Sequence, residues 1–198
     1  MQAPTELVLI RHGQTDWNLQ RRIQGSSDIA LNALGLAQAQ ATRDALANET
    51  FDAVYSSQLD RARVTAATIN EPHGAPHHIR EGLMERKHGE AEGANVEQTH
   101  ARWPDFVGIP GLESWLEVST RMLLAFEEIV ANHPGQRVLV VSHGSALRAA
   151  FGHIQRIEPR SVKSMWNCSI SRLHHAPESQ WDIVLLNSNE HLPEPLRT

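Results

Sequence analysis

Two aliphatic runs, Leu7-Val8-Leu9-Ile10 and Val138-Leu139-Val140-Val141, each lead through one polar residue into His-Gly. Runs that are apolar at every position suit strands buried on both faces, because a strand with one wet face would alternate. A parallel sheet covered by helices provides that environment. The endings, Arg11-His12-Gly13 and Ser142-His143-Gly144, place polar chemistry at strand carboxyl ends, where open α/β sheets bind ligands. If the two strands are neighbours, both imidazoles reach the same rim. Glycine after each histidine lets the backbone turn sharply and lets a ligand approach the amide nitrogens. The helix expected after His143 aims its unpaired N–H groups at that rim, which suits an anion.

The remaining pattern alternates strand and helix. Residues 31–47 carry Leu34, Ala37, Ala41, Ala45 and Leu46 near helical spacing, with Asn32 as N-cap. Residues 51–55 read as a strand, and Ser56 or Ser57 is placed to cap a helix running to Asn70. Residues 71–111 differ: prolines, glycines and one short helical pattern (96–103) mark an elaborated, lid-like connection over the sheet edge. Residues 113–132 form an amphipathic helix, stopped by Pro134-Gly135. Residues 146–153 read as a further helix. The alternating runs 169–173 and 181–186, joined by a proline-containing turn, read as an edge hairpin, and the tail with Pro193 and Pro195 is expected to fray. The sum is a single α/β domain over residues 1–198, a three-layer α/β/α sandwich with a mostly parallel central sheet.

Composition excludes several classes. At 198 residues the chain buries about 70% of its unfolded surface without staples. The single thiol, Cys168, forms no intrachain disulfide and no zinc-finger scaffold. No apolar run approaches the roughly 18 residues that span a bilayer, and the first residues lack a basic, cleavable leader pattern. A net charge of −5 without a dense basic run argues against nucleic acid as a partner. A cytoplasmic domain that binds no membrane is expected. There is no GxxxxGK[ST], no GxGxxG and no His-Glu-x-x-His, which removes P-loop, Rossmann and common metal-hydrolase readings. With 12 histidines, His77-His78 and His174-His175 read as incidental surface residues.

The segment Leu9-Ile10-Arg11-His12-Gly13-Gln14-Thr15-Asp16-Trp17-Asn18 resembles the signature of the histidine phosphatase superfamily, the phosphoglycerate mutase-like branch 1. The likeness continues through Arg22-Ile23-Gln24-Gly25, residues 28–35, 55–68 and 84–93, Glu113-Ser114 and Ser142-His143-Gly144, in the family's order and spacing. The resemblance implies that His12 is a nucleophile that takes up the phosphoryl group, splitting one difficult step into two. Arg11 and Arg61 would clamp the phosphoryl oxygens with guanidinium forks that keep their charge. Arg63 lies on the same expected helix, and spacing from Ser56-Ser57 selects Arg61. His143 would add a second cationic or donor group, with the amide of Gly144. Asn18, Gln24 and Gly25 would supply neutral contacts to the substrate. Glu85 matches the proton donor, serving first the leaving oxygen and then the attacking water. Two arginines and a histidine would take the place of the magnesium of kinases, so the resemblance implies no metal and no cofactor. Arg21 and Arg22 fit either anion steering or exposed loop charge.

The same resemblance covers phosphatases and cofactor-dependent phosphoglycerate mutases. Mutases of this kind usually have a lysine where Val96 stands, and paired arginines on a longer insertion to hold the substrate carboxylate. Here residues 103–111 are short and contain no arginine, which favours a phosphomonoesterase acting on a small phosphorylated metabolite. A missing charged hydrogen bond to a carboxylate costs about 1–3 kcal/mol. His88 stands where phosphatases often have an aromatic residue. A non-catalytic phospholigand-binding protein is the further alternative, and the presence of Arg11, His12, Arg61, Glu85 and His143 together weighs against it.

Overall fold

A computed structural model describes residues 3–176 and 181–198. The two aliphatic runs become strands β1 (Thr5–Arg11) and β4 (Arg137–Ser142), which lie side by side and parallel, with Leu7 opposite Val138 and Arg11 opposite Ser142. That register delivers His12 and His143 to the same edge, one residue beyond the last pair. Strand β2 (Ala53–Ser56) pairs parallel with β4, and β3 (His77–Ile79) pairs parallel with β2. Strands β5 (Ile170–His175) and β6 (Asp182–Ser188) join antiparallel on the other side, giving the order β3-β2-β4-β1-β5-β6.

Successive residues of β1 and β4 point to opposite faces. Leu7, Leu9, Val138 and Val140 pack against helices α5 (Trp115–Asn132) and α6 (Gly144–Gln155) through Met122, Phe126 and Phe151. Val8, Ile10, Leu139 and Val141 pack against α2 (Ala33–Leu46) and α3 (Asp60–Asn70) through Leu46, Ala62, Ala66 and Ile69. The three-layer α/β/α arrangement therefore follows from runs that have no polar face. Two short helices, α1 (Asp16–Leu19) and α4 (Val96–Arg102), lie outside these layers. Among the described residues no helix is long and apolar enough to cross a membrane.

The helix starts follow local chemistry. Asn32 caps α2 by accepting from the Gly35 amide at 2.9 Å, and Ser114 with Glu117 closes a capping box on α5. The expected cap of α3 is not formed. Its N-cap is Leu59, and the Asp60 amide donates instead to the Asp28 carboxylate at 2.8 Å. Ser57 serves His143, and Ser56 bonds the Ser57 carbonyl and His77. The pair His77-His78 lies at the surface, as expected, and away from the cavity at the sheet rim, but it has a structural part. It builds β3, with His78 against the Tyr55 ring at 5.0 Å.

The tail is also anchored where fraying was expected. Leu192 is buried beside Ala39 and Cys168, and Gln38 of α2 donates from Nε2 to the Leu196 carbonyl at 2.8 Å. One apolar side chain and one buried amide hold what the prolines alone would leave loose. The proline-containing turn of the β5–β6 hairpin lies outside the described residues.

Candidate active site

The carboxyl ends of β1, β2 and β4 open onto a cavity of about 580 Å³. His12, Arg11, Asn18, Gln24, Gly25, Arg61 and Glu85 all line it. His143 lies directly beneath, its ring centroid 5.1 Å from that of His12.

His12 is buried, and its Nδ1 donates to the Gly13 carbonyl at 2.7 Å, leaving the lone pair on Nε2. Burial, with Arg61 and Arg11 nearby, holds the imidazole well below the usual histidine range, so it is neutral. Asn167 and Cys168 brace its backbone: the Asn167 amide donates to the His12 carbonyl at 3.0 Å, and the Cys168 N–H to the Arg11 carbonyl at 2.9 Å.

Arg61 is fully buried near the start of α3. It donates to the carbonyls of Ser27 (2.7 Å) and Gly25 (2.8 Å) and, from Nε, to Nδ1 of His143 (3.3 Å). That leaves one N–H on each terminal nitrogen. His143 passes its Nε2 hydrogen to Ser57 Oγ at 2.7 Å, so both ring nitrogens are engaged. Burial and Arg61 keep it well below the ordinary range. Of the two roles open to it, cation or donor, the cationic one is not met here.

Arg11 bonds the Met165 carbonyl while its Nε is buried without a partner among the described residues. Burial pushes its pKa down to about 10, with Glu85 opposing, so it stays charged at neutral pH. Gly144 lies beside it, where a Cβ would meet Arg11 Nε at 3.4 Å, an ordinary contact. Gly13 serves a different purpose from the ligand approach expected of it. Its amide donates to Thr65 Oγ1 at 3.1 Å, and a Cβ would stand 2.4 Å from the Gly35 carbonyl.

Glu85 occupies the anion site expected at the start of α6. Its carboxylate accepts from the amides of Ala146 (2.9 Å), Ser145 (3.2 Å) and Arg86 (2.8 Å). The helix N-terminus thus aims the protein's own carboxyl group into the cavity.

Asn18 accepts from the Thr15 amide at 3.1 Å through Oδ1, which leaves its amide nitrogen for the cavity. Gln24 keeps Oε1 buried without a partner among the described residues. The Gln24–Ser27 turn is fastened by Glu92, which no motif singled out. Its carboxylate accepts from the amides of Ser26 (2.9 Å), Ser27 (3.1 Å) and His88 (3.1 Å). Burial alone would raise its pKa, and these donors hold it below the usual carboxylate range instead. Gly25, at φ +55°, passes so close that a Cβ would overlap this carboxylate.

Arg22 lines the cavity, donating to the Gly93 carbonyl at 2.8 Å and lying 4.3 Å over the Trp17 ring, whereas Arg21 is exposed and paired with Glu97. His88 also lines the cavity, kept neutral mainly by burial, with Nδ1 buried and unpartnered among the described residues. The described residues contain no group of three His, Cys, Asp or Glu side chains arranged to hold a metal ion.

Residues 7–189 match the family model of the histidine phosphatase superfamily, branch 1, and the chain belongs to that family. Among its relatives, the phosphatase PhoE of Bacillus subtilis, called uncharacterized, is 35% identical over 95% of this chain and 97% of its own. A metal-independent phosphoserine phosphatase of Arabidopsis thaliana is also 35% identical, over 95% of this chain and 83% of its own. The solved structure of a mycobacterial glucosyl-3-phosphoglycerate phosphatase with VO3 superposes with a TM-score of 0.85 at 28% identity, covering 93% of this chain and 99% of that one.

Proposed function

We propose that this histidine phosphatase hydrolyses small phosphomonoesters through a phosphohistidine on His12. One observation carries the reading: a neutral imidazole with its tautomer fixed by the Gly13 carbonyl shares a cavity with Arg11, Arg61 and a helix-held carboxyl group. Nε2 of His12 attacks phosphorus, the ester P–O bond breaks, and Glu85 gives its proton to the leaving oxygen. Water then attacks the phosphohistidine while Glu85 takes back a proton. The N–P bond breaks, and inorganic phosphate leaves with His12 neutral again.

Arg11, the free N–H groups of Arg61 and the Asn18 amide stabilise the charge on the equatorial oxygens. His143, neutral and doubly bonded, holds Arg61 and the floor of the site. Gln24 and Gly25 shape the walls, and Gly144 lies behind Arg11. Residues 71–111 act as a lid, a role supported by His88, His100 and Phe106 in the lining and by a small apolar cluster around Ala91 and Ile109. The protein works as one domain, in the cytoplasm, without metal.

The test is hydrolysis of p-nitrophenyl phosphate at pH 5–8 in excess EDTA, with and without vanadate. Release that survives EDTA, is blocked by vanadate and disappears in a folded His12→Ala variant is expected. Loss in EDTA, or isomerisation of 3-phosphoglycerate in place of phosphate release, would overturn the reading.

A further inference from the structure

Six arginines line the cavity (Arg11, Arg22, Arg61, Arg86, Arg148 and Arg160) against two carboxylates, Glu85 and Asp105, a surplus of four positive charges in a chain of net charge −5. A phosphomonoester dianion balances about half of that. Arg11 and Arg61 sit with His12, whereas Arg86 and Arg148 share the neighbourhood of Arg160, whose charge opposes both of theirs. None of the three has a salt-bridge partner among the described residues; their partners are backbone carbonyls. Arg86 donates to the Glu113 carbonyl at 2.7 Å, Arg148 to those of Val162 (3.0 Å) and Arg160 (2.9 Å), and Arg160 to that of Asp105.

Glu85 and Glu113 favour the charge on Arg86, and Glu85 that on Arg148. No carboxylate among the described residues bonds any of the three forks, which leaves them donors for an anion in the cavity. Only 5% exposed, Arg86 lies 4.0 Å over the Trp115 ring, and burial with Arg160 nearby pushes it down to about 10. Trp115 Nε1, in the same lining, is a buried donor without a partner among the described residues. Arginine forks with an indole N–H are the donor set that recognises a carboxylate or phosphate.

We propose that Arg86, Arg148 and Arg160, with the Trp115 N–H, form a second anion subsite, so that the preferred substrate is a phosphomonoester carrying another anionic group. The inference rests on the phosphatase reading and deepens it. The cations that residues 103–111 lack are supplied by Arg86 before the lid's helix and by α6 and the turn after it.

Two matched pairs separate the possible anions: 3-phosphoglycerate against glycerol 3-phosphate, and fructose 1,6-bisphosphate against fructose 6-phosphate. Binding is measured by calorimetry on His12→Ala, and turnover on the enzyme with His12 intact. The doubly anionic member of at least one pair is expected to bind about tenfold more tightly or better, the size of one charged hydrogen bond. Adding Arg148→Gln or Arg160→Gln is expected to reduce that preference by about tenfold, whereas Arg63→Gln, on the exposed side of α3, leaves it intact. Equal binding within both pairs, or a preference untouched by both arginine variants, overturns the subsite. Preference in binding without turnover of any of these esters or of p-nitrophenyl phosphate supports the subsite and overturns the phosphatase reading instead.

Discussion

Arg61 donates from Nε to Nδ1 of His143 at 3.3 Å, a bond that only an unprotonated Nδ1 accepts. With Ser57 taking the other ring nitrogen, protonating His143 breaks the link that orients Arg61. His12 is held neutral as well, first by burial and then by the same arginine. Both folded-state values lie below the ordinary 6.5. The unfolded chain therefore binds more protons as pH falls past 6.5, and stability present above that pH is lost below it. Each histidine contributes a slope of up to about 1.4 kcal/mol per pH unit. Urea unfolding at pH 7.5, 6.0 and 5.0 is expected to show this decline, and His143→Gln to flatten it. A stability independent of pH between 5 and 7.5 would contradict the neutral pair.

The same depression governs activity. Since His12 needs no deprotonation near 6.5, the acid limb of kcat/KM is expected below that value. A pH–rate profile with a nucleophile ionisation at 6.5 or above would count against a His12 pre-set in its neutral form.

Glu85→Gln keeps a side chain for the amides of Ser145 and Ala146 while removing the proton donor. Turnover of alkyl phosphates is expected to fall by about 10²–10⁴. The loss should be smaller for p-nitrophenyl phosphate, whose leaving group needs little protonation. Equal losses in kcat/KM, which reports the step that expels the leaving group, would count against Glu85 as the donor to that oxygen.

Glu92→Ala removes the acceptor shared by Ser26, Ser27 and His88. Leaving those donors unpaired is expected to cost about 1–3 kcal/mol in thermal or urea unfolding and to raise KM through the loosened Gln24–Gly25 turn. An unchanged KM would separate the turn from substrate binding.

Much of this was legible locally. His12 and His143 could be placed on one rim because the apolar runs before them have no polar face, and such strands sit together at a sheet's centre. Asn32 capped as read, since a cap depends on neighbours within one turn. What escaped reading depends on contacts between distant segments. Glu92 reaches back to Ser26 and Ser27, Asn167 to the His12 carbonyl, and Ser57 to His143, while at the start of α3 it accepts only from the Leu59 amide at 3.3 Å. Arg148 and Arg160 lie on α6 and the turn after it, distant in sequence from residues 103–111, and only the fold brings them to the same cavity. The tail holds despite its two prolines because Leu192 finds a pocket beside Cys168, a contact that no local pattern announces.

Cys168 itself offers a further check. Burial pushes its thiol up to about 12, and it lies at the backbone of Arg11 and His12. Iodoacetamide at pH 8 is expected to leave the folded protein unlabelled and to label it fully in urea. Rapid labelling of the native protein would mean that the floor of the site opens.

The most direct measurement is rapid acid-free quenching of the enzyme with a radiolabelled phosphomonoester, followed by peptide mapping. The account predicts a phosphoryl group that is stable in base, labile in acid and located on the peptide containing His12, and no label in His12→Ala. Turnover without any labelled enzyme, or label on His143, would contradict it.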